Sequence, residues 1–295
     1  MSIAACGAVG VWTGALAKVP AEEARRAARE IERLGYGALW YPESVGSKEA
    51  FSQAGLLLSA TERIVVASGI ANIWARDPMA MAAGASTLGE AWPGRFVLGI
   101  GVSTDVSVPQ RGHLYDKPFA RLQEYVAAMN DVVYTAPAPE PPVPKVIGAI
   151  GPKSLAFVAE IGWGAHTYFV PPVHTEFARG ILGPGRLLAA EQAVLLESDE
   201  ASARQLARSH MQYYLERSAY RNMLLRLGYT EHDLEDGGSD RLVDAIVAWG
   251  DAETVATRVQ EHLDAGADHV CLQPVSALAN DVGMTQLRTL ASSML

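Results

Sequence analysis

Short apolar runs alternate along this chain with longer amphipathic stretches. Ile3 to Val11, Ala38 to Tyr41, Ile64 to Ile70 and Phe96 to Gly101 are apolar runs of strand length, as expected for strands buried on both faces. The first amphipathic stretch opens at Pro20, carries Glu22 and Glu23 in its first turn and stops at Gly35. Within it Ala24, Ala27, Ile31 and Leu34 form one stripe, and Arg25, Arg26, Arg29 and Arg33 lie mostly away from it. Glu49 to Ala60 reads as a second helix. Asp77 followed by Pro78 is a cap with proline at the first helical position, opening an Ala- and Met-rich helix to Ala91.

The segment from Thr135 to Pro144 holds five prolines and cannot be a regular element. It reads as a surface connection, because the alternation resumes directly after it. Val146 to Ile150, Ala165 to Val170, Ala190 to Glu197 and His269 to Gln273 complete a set of eight strands. Helices are predicted from Asp116, as cap, to Tyr134, from Ser154 to Ile161, from Asp199 to Leu227 and from Asp251 to Ala265. Shorter helices fall near Glu231 and Arg241. This order predicts an α/β fold, a single (β/α)8 TIM barrel over 1–295 with an extended helical segment near 198–268. A doubly wound open sheet shares the same periodicity.

In such a barrel the strand ends gather at one mouth, where active sites sit. The positions brought there would be Trp12, Glu43, Gly69 to Asn72, Gly101 to Ser103, Gly148 to Ser154, Tyr168 to His174, and Gln273. Composition narrows what they could bind. Of the 295 residues 49% are hydrophobic and 19% charged, the profile of a globular chain with a large core. The net charge of −9, with no run of Lys or Arg, argues against a nucleic-acid surface. An anionic small molecule is still compatible, since helix-terminal amides hold phosphate without net positive charge. Cys6 and Cys271 are isolated in apolar runs and suit a reducing compartment. The chain shows neither a secretory leader pattern nor an apolar stretch of membrane-span length, so a cytoplasmic protein is expected.

Several strand ends carry candidate chemistry. Gly148-Ala-Ile-Gly151-Pro152-Lys153-Ser154 joins a strand to a helix and suits a phosphate cradle; it equally suits a tight turn. Gly99-Ile-Gly101-Val102-Ser103 lacks the third glycine of a dinucleotide fingerprint, but is reasonable as a strand end opening on a cofactor. Ser68 to Pro78 offers small residues and Asn72 beside a planar ring, or an ordinary loop with Trp74 as packing. Glu43 at the second strand end is a candidate for positioning or proton transfer, against the commoner solvated loop acid. His113, His166 and His174 fall near the mouth without metal-ligand spacing, so no metal site is expected and at most one is catalytic. A nucleophile elbow and a P-loop are both missing, which removes hydrolase and NTPase readings.

Taken together, Gly69 to Pro78, Pro93 to Ser103, Gly151 to Ser154 and Leu263 to Gln273 resemble the luciferase-like monooxygenase superfamily. More narrowly the chain is similar to its actinobacterial subgroup dependent on coenzyme F420, a deazaflavin. The resemblance runs in order over nearly the whole chain. It implies an oxidoreductase, often dimeric in this superfamily, that transfers a hydride between F420 and a small organic substrate at the barrel mouth. It implies a non-proline cis peptide at Gly69–Ile70, forming a bulge behind the ring, with Asn72 at the ring's polar edge. Gly101, Val102 and Ser103 would flank the cofactor, and Gly151, Pro152, Lys153 and Ser154 would hold its phosphate. Glu43 matches the acidic position after the second strand.

Two departures matter. Sugar-phosphate dehydrogenases of the superfamily carry a glutamate where this chain has Val102, and many subgroup members carry a histidine where it has Thr104. Glucose-6-phosphate is therefore not the expected substrate, and the proton donor is left to Tyr168, His174 or bulk water. Glu43 and His174 are the catalytic candidates. Trp12, Trp74 and Tyr168, with Phe169, would line a partly apolar substrate pocket. FMN as cofactor would make the protein a monooxygenase instead, and a non-catalytic deazaflavin carrier is the third reading. An aldolase-type barrel is weak, because Lys153 is the only lysine near the mouth. The apolar helices around Leu56–Leu58 and Met79–Met81 could form a homodimer interface or face the barrel.

Overall fold

The parallel strands close into a ring, described here from a computed structural model that covers residues 6–278 and 280–295. Ring order is β1 (Val9–Trp12), β2 (Ala38–Tyr41), β3 (Val65–Ser68), β5 (Phe96–Gly101), β6 (Lys145–Gly148), β7 (Gly164–Thr167), β8 (Leu188–Leu196) and β10 (His269–Pro274), and β10 pairs back with β1. Two short strands lie off this ring: β4 (Ala71–Asn72) continues the line of β3 along β5, and β9 (Val247–Gly250) extends the far end of β8. The (β/α)8 barrel expected from the alternation is the observed fold. Of the first predicted strand, Ile3 to Ala5 lie outside the described residues.

Strand periodicity sorts the core into two shells. Leu39, Tyr41, Leu188, Ala190, Val270 and Leu272 face the surrounding helices, whereas Ala38, Trp40, Ala189 and Cys271 fill the lumen with Cys6, Trp12, Val97 and Val146. Trp40 occupies the lumen's middle. Its indole N–H donates to His269 Nε2 at 3.0 Å, and the His166 ring stacks on it at 4.7 Å. Gly10 is glycine because a Cβ there would lie 2.5 Å from His269 Nε2.

The helices are α1 (Ala21–Arg33), α2 (Ala50–Leu58), α3 (Pro78–Ala91), α4 (Pro118–Asn130), α5 (Pro152–Ile161), α6 (Pro172–Leu182), α7 (Glu200–Leu215), α8 (Ser218–Arg226), α9 (Asp240–Ile246), α10 (Ala252–Asp264) and α11 (Met284–Met294). Asp77 caps α3 as expected, its side chain accepting from Ala80 N at 2.9 Å. Asp116 does not cap α4; the helix instead starts after Lys117 in a left-handed conformation, with Pro118 at its first position. The predicted helix over Asp199–Leu227 is two helices, broken at Glu216–Arg217. Together α7, α8 and α9 carry a satellite core of Ala203, Ala207, Met211, Met223 and Leu242, which packs on Phe169 and Leu195.

Candidate active site

The end of β3 sets the geometry of the mouth. Val66 and Ala67 pair with Phe96 and Val97, an offset of 30, whereas Ala71 and Asn72 pair with Ile100 and Gly101, an offset of 29. One extra residue is therefore accommodated between β3 and β4, which makes a β-bulge. The Gly69–Ile70 peptide within it is cis.

Side chains from β3 itself, from the ends of β1 and β2 and from the loop before α3 clamp this bulge. Ser68 Oγ accepts from Gly99 N at 2.9 Å and donates to Gly99 O at 2.8 Å, replacing ladder bonds that the bulge interrupts. Trp12 Nε1 donates to Gly69 O at 3.1 Å. Glu43 receives Asn72 N at 2.8 Å through Oε2, and its own N–H donates to Ile70 O at 3.1 Å. Arg76 closes on both Glu43 oxygens and also reaches Glu49 at 2.9 Å.

Ile70 thereby projects into a cavity of about 340 Å³ at the C-terminal mouth. Gly101 is glycine because a Cβ would stand 2.8 Å from Ile70 Cγ1. Around Ile70 the wall is formed by Val102 and Ser103 after β5, by Gly148 to Ile150 after β6, and by Trp12, His166 and Tyr168. The break between α7 and α8 supplies the opposite side: Tyr214, Arg217, Ser218, Ala219 and Tyr220. Among the described residues Arg217 is the one cation on the wall, which it shares with Asp105, 4.0 Å away. Beside it α8 begins without a side-chain cap, so its first amides are free for an anionic group.

One run of hydroxyls crosses this wall. Tyr168 Oη donates to Gln273 Oε1 at 2.6 Å and lies 2.6 Å from Tyr214 Oη, so the Tyr214 hydroxyl donates to Tyr168. Burial raises both phenols well above their ordinary range, keeping them protonated. His166 is fully buried and neutral, with its pKa lowered to about 4 by desolvation. Its Nδ1–H donates to Ala189 O at 3.1 Å, and Nε2 has no partner among the described residues.

The luciferase-like monooxygenase family model matches residues 1–269. The chain belongs to that family. Among its relatives is a Mycobacterium tuberculosis protein provisionally named a coenzyme F420-dependent oxidoreductase. It is 25% identical over 276 residues, covering 76% of this chain and 78% of that one. A 5,10-methylenetetrahydromethanopterin reductase of Archaeoglobus fulgidus is 26% identical over 170 residues, about half of each chain at 52% and 51%. Among solved structures, the coenzyme F420-dependent tetrahydromethanopterin reductase of Methanopyrus kandleri superposes with a TM-score of 0.79 at 17% identity, over 97% of this chain and 98% of that one. An F420-dependent secondary alcohol dehydrogenase carrying an F420–acetone adduct gives 0.76 at 17% identity, over 97% of each chain. At these identities the superpositions establish the shared fold.

Within this member of the family, the residues singled out from sequence divide into those on the cavity and those behind it. Trp12, Gly69, Ile70, Gly101, Val102, Ser103 and Tyr168 line it. Glu43 does not; it lies behind the bulge, buried in its ion pair with Arg76. Asn72 is also buried behind, its Oδ1 accepting from Trp74 N at 2.9 Å, and Trp74 Nε1 donates to Val102 O at 2.9 Å. Gly151, Pro152, Lys153 and Ser154 form the first turn of α5, just past the lining residue Ile150, and Ser154 Oγ turns back to Gly151 O. His174 is on α6, away from the cavity, with Nε2 bonded to Ile150 O at 2.8 Å. Tyr214, Arg217 and Tyr220 were missed, because a helix read as continuous through Leu227 hides a break that turns their side chains inward.

Proposed function

We propose that this protein is an F420-dependent oxidoreductase that transfers a hydride between the deazaflavin and a small organic substrate in the cavity below α8. The observation that carries this reading is the bulge-backed cavity itself, supported by the F420 dependence named for one relative and two structural neighbours. Its volume of about 340 Å³ falls within the ~300–1,000 Å³ typical of small-molecule sites. The apolar surfaces of Ile70, Val102, Ala149 and Ile150 fit the faces of a planar heteroaromatic ring, and the unpartnered His166 Nε2 on the same wall fits a polar ring edge. Arg217, with the free amides of Ser218 and Ala219, would hold the anionic part of the cofactor.

When bound, F420 supplies two-electron hydride chemistry and little reactivity towards oxygen. The protein's part is orientation, exclusion of water and custody of a proton. That proton sits on Tyr214 Oη. Transfer from it to a substrate oxygen leaves a phenolate that the Tyr168 hydroxyl can turn to stabilise, and Gln273 anchors Tyr168 in the resting state. Trp12 and Tyr168, with ring centroids 4.9 Å apart and planes inclined at 54°, form an angled apolar corner suited to an aliphatic or aromatic substrate.

The test is an anaerobic assay of the purified protein with reduced F420 and a panel of ketones, aldehydes, imines and conjugated enoates. Reappearance of the oxidised deazaflavin absorbance, dependent on one substrate class, is expected. A second reading draws on a solved neighbour, the FMN complex of the oxygenating constituent of 3,6-diketocamphane monooxygenase, with a TM-score of 0.71 at 13% identity. Oxygen consumption with reduced FMN, and no turnover of reduced F420, would establish that reading instead.

A further inference from the structure

Beneath the tyrosine wall lies a carboxyl group that the proposed chemistry does not use. Glu191, on β8, shares the lumen-facing parity of Ala189 and is 2% exposed. Its Oε2 accepts from Phe169 N at 2.9 Å, and its Oε1 has no partner among the described residues. The titratable groups coupled to it are Tyr168 from the turn after β7, Tyr214 on α7, Tyr220 on α8 and Cys271 on β10. None of them is a cation. Burial favours the neutral acid and pushes its pKa up to about 8, with the Phe169 N–H opposing only in part.

What this carboxyl holds is the turn that presents the wall. Phe169 has a φ of 58°, a left-handed backbone that a bulky non-glycine residue keeps only when its surroundings enforce it. Its ring stacks on Tyr214 with centroids 4.8 Å apart and meets Tyr220 edge-on at 5.4 Å. Tyr168, one residue earlier, carries the hydroxyl shared with Tyr214 and Gln273. A carboxylate formed at Glu191 would have one N–H donor and an unsolvated Oε1. The groups able to serve that oxygen are the surrounding phenols and, as a weaker donor, the Cys271 thiol paired with Glu191 across the strands; turning Tyr168 or Tyr214 towards it breaks the hydroxyl chain.

We propose that Glu191 is a positioning residue for this cavity: protonated, it fixes the Phe169 turn and the tyrosine wall, and its ionisation remodels that wall and weakens ligand binding. The proposal depends on the F420 reading only for the identity of the ligand. The discriminating variant is Glu191→Gln, which keeps an oxygen for the Phe169 N–H and cannot ionise.

The experiment follows the near-ultraviolet circular dichroism of the ligand-free protein from pH 6.5 to 9.5, with calorimetric Kd values for F420 and FMN over the same range. In the wild type the aromatic band should change with one midpoint near pH 8. Over that range Kd should weaken ~tenfold, the scale of one lost hydrogen bond. In Glu191→Gln both should be flat. An unchanged transition in the variant, or a flat wild-type band, overturns the proposal. If neither cofactor binds at any pH, the F420 reading fails by itself and the aromatic band still decides this one. Should the variant not fold, the infrared carbonyl stretch of a protonated acid in the wild type serves in its place: its loss near pH 8 supports the proposal, and its absence at pH 7 refutes it.

Discussion

Replacing Arg76 by methionine should destabilise the protein by about 3 kcal/mol without touching the cavity wall. The Arg76 and Glu43 side chains are 10% and 3% exposed, so the change strands a carboxylate that water barely reaches. Breaking one side of a buried pair typically costs ~3–5 kcal/mol. The lower end applies here, because Asn72 N at 2.8 Å and Ala50 N at 3.3 Å still donate to Glu43. Methionine keeps an apolar stem against Phe51, over which the guanidinium now lies at 5.1 Å. Glu43→Gln should cost less, roughly 1–2 kcal/mol, since Arg76 retains Glu49 at 2.9 Å and an amide oxygen still accepts. Urea denaturation followed by tryptophan fluorescence at pH 7.5 measures both, and the double variant gives the coupling. A value within ~1 kcal/mol of wild type for Arg76→Met, comparable to ordinary surface changes, would refute the role of this pair as the bulge clamp.

Buried histidines should make the fold acid-sensitive. Desolvation lowers His166 and His269 to about 4 and His262 to about 3, so above pH 6.5 they are neutral in both folded and unfolded chains. As pH falls from 6.5 towards 4 the unfolded chain gains protons that the folded one refuses, and each histidine removes up to ~1.4 kcal/mol per pH unit. Glu191 runs the other way, adding stability as pH falls from about 8 towards 4.5, but it is one group against these three histidines together with His210, lowered to about 4, and His174, also lowered by burial. Tm should therefore drop steeply between pH 6.5 and 4.5, and a flat profile would contradict the buried placement. Gly101→Val should keep the barrel at a cost of ~1–3 kcal/mol while pushing Ile70 into the cavity, so that calorimetry shows ligand affinity falling sharply; unchanged affinity would move the site elsewhere. Tyr168→Phe removes the hydroxyl between Tyr214 and Gln273, and should lower kcat ~100-fold with Kd little changed. Equal kcat would leave proton delivery to water.

The barrel was legible because its strands are continuous apolar runs between capped, amphipathic helices, and β2 and β5 run between the residues that the pattern predicts. Among the described residues α6, β9 and α11 escaped it, as did the two-residue β4. The helix α6 opens on Pro171 and Pro172, which read as loop until proline is placed at a helix start. The strand β9 is four residues that follow α9 with no turn between them, and α11 follows a loop after the last expected strand. The site was half legible. Glycines at strand ends were visible as such, and Gly69, Ile70, Gly101, Val102 and Ser103 do line the cavity. Glu43 and Asn72 share that neighbourhood but face the back of the bulge, a distinction that depends on one inserted residue and hence on strand register. Tyr214, Arg217 and Glu191 depend on a helix break and on which side of β8 meets the lumen, and neither is written in local pattern.

The measurement closest to the central claim is equilibrium binding of F420 and of FMN to the purified protein, run in parallel with Gly101→Val and Arg217→Gln. Selective binding of F420, weakened in both variants, is expected, because one blocks the ring's place and the other removes the cation beside it. Selective binding of FMN, or F420 binding that neither substitution affects, would contradict it.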